Sequence, residues 1–156
     1  MVKINNKGFT LIELLVVVAI IGLLSTLAVV ALNSARLKSR DAKRVADIKQ
    51  IQTALELYFA DQNNYPTSTT AVELGDANHK ALCSNGSWAS SCGGGTTYMG
   101  LVPTAALPAD GPCNTANNAY MYTSAAGTTY TINFCLGGAV GDLAAGPHTA
   151  SPNGIQ

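Results

Sequence analysis

KGFTLIELLVVVAIIGLLSTLAVVAL, residues 7–32, decides the architecture of this chain. After the polar pair Lys7-Gly8, the run from Phe9 to Leu32 is 24 residues long and holds one ionisable side chain, Glu13. As a helix rising about 1.5 Å per residue, it is long enough to cross the hydrocarbon core of a bilayer. A bare carboxylate at the centre of such a helix costs about 3 kcal/mol, and less near the interface, so Glu13 calls for a partner or for a route to water.

Helical periodicity continues past Leu32. Val45, Ile48, Ile51, Leu55 and Tyr58 recur at spacings of 3, 3, 4 and 3, and polar residues fill the intervening positions. That pattern predicts an amphipathic helix with one apolar stripe. Residues 9–62 contain no proline and a single glycine, Gly22. We therefore expect one helix of about 50 residues, about 80 Å long. Its first half is apolar on every side, and its second half packs one side against a globular region. Asp61-Gln62-Asn63-Asn64-Tyr65-Pro66 marks the stop, since Asn favours turns and Pro cannot continue a helix.

Beyond Pro66 the chain turns to Thr, Ser, Gly, Ala and Asn, with room for one domain. Thr70-Ala71-Val72-Glu73 has the spacing of a capping box and predicts the start of a short helix. Residues 84–96 read as a loop with little regular structure. Three strands are expected, at Thr97–Val102, Ala119–Thr123 and Thr129–Leu136. The last two alternate well around Ser124-Ala125-Ala126-Gly127-Thr128 and predict a hairpin. The Gly-, Ala- and Pro-rich tail, residues 137–156, reads as an extended surface loop.

The chain is neutral overall but unevenly charged. Residues 36–49 hold six basic residues (Arg36, Lys38, Arg40, Lys43, Arg44 and Lys49) against Asp41 and Asp47, a net of +4. From residue 50 onward Lys80 alone opposes six carboxylates, a net of −5. A basic collar beside an acidic head fits anionic lipid headgroups or acidic neighbouring subunits better than nucleic acid, and no nucleic-acid site is expected. A solvated helix face explains the collar equally well. Basic residues flank the apolar run on both sides, and by themselves those after it would hold the C-terminal part in the cytoplasm. Cys83, Cys92, Cys113 and Cys135, an even number in a Lys-poor region, argue instead for disulfides in an oxidising compartment. Four cysteines allow three connectivities, of which sequence proximity favours 83–92 and 113–135. There is no Cys-x-x-Cys spacing, no Gly-x-Ser-x-Gly turn, no phosphate loop and no His-Glu-x-x-His pair, and His79 and His148 stand apart in polar surroundings. Neither an enzyme, a metal nor a cofactor is expected.

The N terminus resembles that of type IV pilins and type II secretion pseudopilins. It shares their short basic leader, a Gly before the cleavage point, Phe-Thr-Leu-Ile-Glu and an apolar helix, over about the first third of the chain. An ordinary secretory signal has a shorter apolar run followed by small residues. An uncleaved signal anchor has no reason for the Gly8-Phe9…Glu13 register. The resemblance implies cleavage between Gly8 and Phe9 by a prepilin peptidase, N-methylation of Phe9, and pairing of Glu13 with the Phe9 amine of a neighbouring subunit. It implies an α+β pilin fold: a long N-terminal helix on a small antiparallel sheet of three to four strands. The expected divisions are a leader, 1–8; a membrane and assembly helix, 9–32; its amphipathic continuation, 33–62; and a disulfide-bonded head, 63–156. Gly22, Ser25 and Thr26 form a small-residue face, and Val30 stands where many pilins carry Pro. The implied partners are identical subunits in a helical filament, an inner-membrane assembly platform and membrane lipid, with the head extracytoplasmic. The implied role is a structural subunit of a type IV pilus-like filament. The alternatives are the major pseudopilin of a type II secretion system or a monomeric membrane-anchored binding domain. The section from Leu101 to Ile132 loosely resembles the head of the major pseudopilins. Those proteins hold calcium there with several acidic residues, whereas this chain has only Asp110 nearby, so no calcium site is expected.

Overall fold

The computed structural model describes residues 8–85 and 87–156. The expected leader therefore lies outside the described residues up to Lys7. The molecule divides between Arg36 and Leu37 into two units, and one helix, α1 (Leu11–Gln62), contributes to both.

In the first unit every described residue is exposed, from Gly8 through Arg36. Among the described residues of this unit nothing covers the large aliphatic side chains between Leu11 and Leu32. The backbone is satisfied internally by the helical ladder, which is the condition for entering an apolar medium.

The second unit is a layer of helix on sheet. The C-terminal portion of α1 buries Ile48, Ile51, Ala54, Leu55 and Tyr58, the expected stripe with Ala54 added and Val45 partly covered. Each Ile or Leu so buried contributes about 1.5–3 kcal/mol relative to exposure. The helix ends as a turn-forming Asn would end it: Asn63 adopts a φ of 57° and its amide donates to Phe59 O at 2.8 Å, an αL cap.

Among the described residues eight strands follow in order: β1 (Ser68–Glu73), β2 (Ala81–Cys83), β3 (Ser87–Ala89), β4 (Thr97–Met99), β5 (Met121–Ser124), β6 (Thr131–Leu136), β7 (Gly146–Ser151) and β8 (Gly154–Ile155). They form a five-stranded antiparallel sheet, β1-β5-β6-β7-β8, and a three-stranded one, β3-β2-β4. The α+β class with a long helix on antiparallel sheet is thus the observed architecture, with more strands than the three or four expected.

The β5–β6 hairpin lies where alternation placed it, with Tyr122 opposite Ile132 and both fully buried. Its turn carries Gly127 at a φ of 71°, where a Cβ would sit 3.1 Å from Tyr65 O. The close approach is needed because Tyr65 N donates to Gly127 O at 2.7 Å, tying the end of the helix to the hairpin.

Two expectations are corrected. Thr70–Glu73 starts no helix but lies in β1, whose β-branched Thr69, Thr70 and Val72 suit a strand paired to β5. Residues 84–96 hold little regular structure as expected, the short strand β3 paired with β2. The tail is not a loop: β7 extends the sheet from β6, and β8 from β7.

Candidate processing and assembly site

Gly8 and Phe9 immediately precede α1. A Cβ on Gly8 would meet nothing within 4 Å, and Phe9 is 88 % exposed, so the backbone on both sides of this peptide bond is open. Helix α1 begins one residue after Thr10, and Thr10-Leu11-Ile12-Glu13 closes on itself. Thr10 N and Thr10 Oγ1 donate to Glu13 Oε2 at 2.9 and 2.8 Å, and Glu13 N donates to Thr10 Oγ1 at 3.2 Å. This is a reciprocal capping box that satisfies amides the helix itself leaves without partners. It also puts the carboxylate in the first turn, at the positive end of the helix dipole. Glu13 Oε1 makes no hydrogen bond among the described residues, so one oxygen stays available to a further cation. The signal for this cap, Thr followed three residues later by Glu before an apolar run, stands in the sequence; the sequence reading applied it to Thr70 instead.

The other polar groups of the segment are closed locally. Ser25 Oγ donates to Ile21 O at 2.7 Å and Thr26 Oγ1 to Leu23 O at 2.8 Å. Gly22 presents an open face, with nothing near its missing Cβ. Among the described residues α1 is the one helix long and apolar enough to cross a membrane.

In the head, the cysteines are joined as Cys83–Cys92 and Cys113–Cys135, leaving no free thiol. The cationic collar is only partly solvated. Asp41 and Arg44 are both 0 % exposed and pair at 2.6 Å. Arg44 Nη2 donates to Ala106 O at 2.7 Å, Asn118 Oδ1 at 2.9 Å and Pro108 O at 3.2 Å. Its Nε finds no partner among the described residues. Asp41 accepts the amides of Gly137 and Gly138 at 2.9 and 2.8 Å. One turn away, Arg40 forks onto both oxygens of Asp110 at 2.6 and 2.7 Å. A bidentate guanidinium–carboxylate pair of this kind is among the stronger ionic contacts. Asp110, the acidic residue of the head loop, is thus engaged by an arginine. Sequence reasoning missed this network, because its partners are 62–97 residues apart along the chain.

The residues matched by a family model are 3–29, and the family is the prokaryotic N-terminal methylation motif. The N terminus carries that motif. Among relatives, the type II secretion system core protein G of Aeromonas hydrophila is 38 % identical over 73 residues, 47 % of this chain and 51 % of that protein. The core protein G of Escherichia coli K12 is 40 % identical over 69 residues, 44 % of this chain and 48 % of that protein. The type IV major pilin PilA of Myxococcus xanthus is 37 % identical over 73 residues, 47 % of this chain and 32 % of that protein. The chain spans about half the length of the secretion proteins it matches. No solved structure matches it. The prepilin motif, the relatives and the apolar helix together mark a membrane-anchored protein of pilin-like build.

Proposed function

We propose that this chain is a structural subunit of a type IV pilus-like filament. A prepilin peptidase cleaves it between Gly8 and Phe9, and Phe9 is methylated. Residues 9–32 hold it in the cytoplasmic membrane with the head outside, and the same residues polymerise it on an inner-membrane assembly platform. The observation that carries this reading is an exposed apolar segment whose single charge stands in the first turn of α1, five residues after Gly8. Lipid can cover such a segment, and so can a bundle of identical helices. Within such a bundle Glu13 Oε1 would meet the Phe9 ammonium of a neighbour, and each charge would relieve the cost of burying the other. The role is structural, not enzymatic.

The major pseudopilin of a type II secretion system is an equal reading of the same segment, favoured by the core protein G relatives. Surface fibres or a dependence of protein secretion on this chain would distinguish the two.

The test separates charge from helix capping. Gln can occupy the third position of a capping box, so Glu13→Gln keeps the cap and loses the charge. Thr10→Ala weakens the cap, by about 1 kcal/mol, and keeps the charge. Sheared filaments should fall at least tenfold for Glu13→Gln and persist for Thr10→Ala, with the protein still inserted and cleaved in both. Parent-level assembly by Glu13→Gln would sink the charge pair and leave Glu13 a capping residue alone, whereas a parent chain that yields no filaments would favour a monomeric anchored domain.

A further inference from the structure

The loop that meets Arg40 and Arg44 is fastened to the rest of the head in an unusual way. Between Pro103 and Asn118 it forms no strand, and its backbone hydrogen bonds are local: Cys113 N to Asp110 O, and Asn117 N and Asn118 N to Asn114 O. Outward it is tied by side chains of α1, through Arg44 on Ala106, Pro108 and Asn118 and Arg40 on Asp110, by Ala105 packed against the core, and by the Cys113–Cys135 bond. That bond is placed at the same contact. Cys113 lies three residues after Asp110, and Cys135 two residues before Gly137, whose amide feeds Asp41. Between the two stretches backbone lies on backbone. A Cβ on Gly111 would collide with Gly137 O, and one on Gly137 would come within 2.5 Å of Asp110 Cβ.

We propose that Cys113–Cys135 is a redox latch on the seating of this loop against residues 40–44 of α1. Closed, it holds Asp110 and Gly137 together so that Arg40 and Asp41 are engaged side by side. Open, it leaves two arginines and the packing of Ala105 to hold a loop of 16 residues whose chain entropy opposes them. The five-stranded sheet does not depend on it, since β5 and β6 are joined by their own turn and ladder. Closure forms one S–S bond from two thiols as a disulfide donor takes up two electrons and two protons by thiol–disulfide exchange. A dithiol reductant reverses this and becomes a disulfide itself. The latch rests on the reading that the head is exported, because an oxidising compartment is where it would close. Seating of the loop is then a step that follows translocation.

Amide hydrogen exchange on the full chain in detergent micelles tests the latch without reference to filaments or export. In Cys113→Ser/Cys135→Ser, amides of residues 105–118 and of Gly137 and Gly138 should exchange about tenfold faster or more, while β5 and β6 stay within about twofold of the parent. Cys83→Ser/Cys92→Ser should leave Gly137 and Gly138 unchanged. Asp110→Asn, with the bond intact, should open them less than about threefold. Unchanged exchange at Gly137 and Gly138 in the Cys113/Cys135 variant would overturn the latch. So would protection lost throughout the sheet, which would make the bond a determinant of the whole head. Opening by Asp110→Asn as full as that of the cysteine variant would overturn it too, by making the ion pair the fastener.

Discussion

The two portions of α1 solve opposite problems with the same backbone. From Leu11 to Arg36 every side chain is exposed, and the described residues of that unit offer the aliphatic surface no cover. From Leu37 to Gln62 the helix buries aliphatic residues, a tyrosine and three charged side chains, Asp41, Arg44 and Asp47. The apolar portion keeps its one carboxylate at the surface of its first turn, on a local cap. The polar portion leaves its lysines in solvent but buries Asp41, Arg44 and Asp47, because the head supplies amides, carbonyls and the Tyr120 hydroxyl for them. Hydrophobicity along the helix is therefore no guide to what this chain itself buries. The most apolar stretch is the least buried, and its environment comes from outside.

The sharpest way to break this comparison is to strand a buried charge. Asp41→Ala leaves Arg44 without its carboxylate and two amides without an acceptor, and should destabilise the head by about 3–5 kcal/mol. Thermal or urea unfolding of the full chain in detergent reads this directly. A loss below about 1 kcal/mol would mean that water reaches the pair. Next in size, Ile51→Ala should cost about 2–5 kcal/mol in the same assay. Ile21→Ala, an equal truncation in the exposed portion, should leave head unfolding unchanged within about 0.5 kcal/mol. Equal losses at both positions would erase the distinction between the portions.

The smallest effect, per group, is alkaline. Burial, reinforced by the neighbouring Glu56 carboxylate, pushes the Tyr65 phenol up to about 12. Burial likewise raises Tyr120, Tyr122 and Tyr130. Because the folded values lie above the unfolded value of about 10, the contribution of these phenols is fully present below about pH 10. It is lost as pH rises through the folded values, at about 1.4 kcal/mol per pH unit for each proton released on unfolding. Unfolding midpoints should hold to about pH 10 and fall steeply by about pH 12, with tyrosinate absorbance appearing together with unfolding. A gradual tyrosinate signal in a chain that stays folded would show the phenols to be accessible.

Much of this fold could be read from local pattern, and the exceptions share a cause. The helix declared itself by a 3.6-residue period and the hairpin by alternating Tyr120, Tyr122, Ile132 and Phe134. Strand β7 did not, because its buried positions are Gly146 and Ala150, too small to make an alternation, and Pro147 argues against a strand. It forms because β6 offers it a ladder. The collar misled for a similar reason. Lys, Arg and Asp on a helix ordinarily mean solvent, and the groups that remove Asp41 and Arg44 from it come from residues 106–138. Of the candidate site, Gly8, Phe9 and Glu13 were legible as a register. The cap joining Glu13 to Thr10 stood in the same letters, but the attention drawn by a charge in an apolar run hid its local use.

The back-bonded hydroxyls of Ser25 and Thr26 carry a consequence for how residues 11–32 tell one environment from another. With both donors already spent on carbonyls of their own turn, the segment presents no hydrogen-bonding appetite along its flanks. Acyl chains and the side of a sister helix are then nearly indistinguishable to it, and passage from one to the other breaks no hydrogen bond. Discrimination falls to a single spot at the entrance of the helix, the unclaimed oxygen of Glu13. The segment is thus mute along its length and addressed at one end.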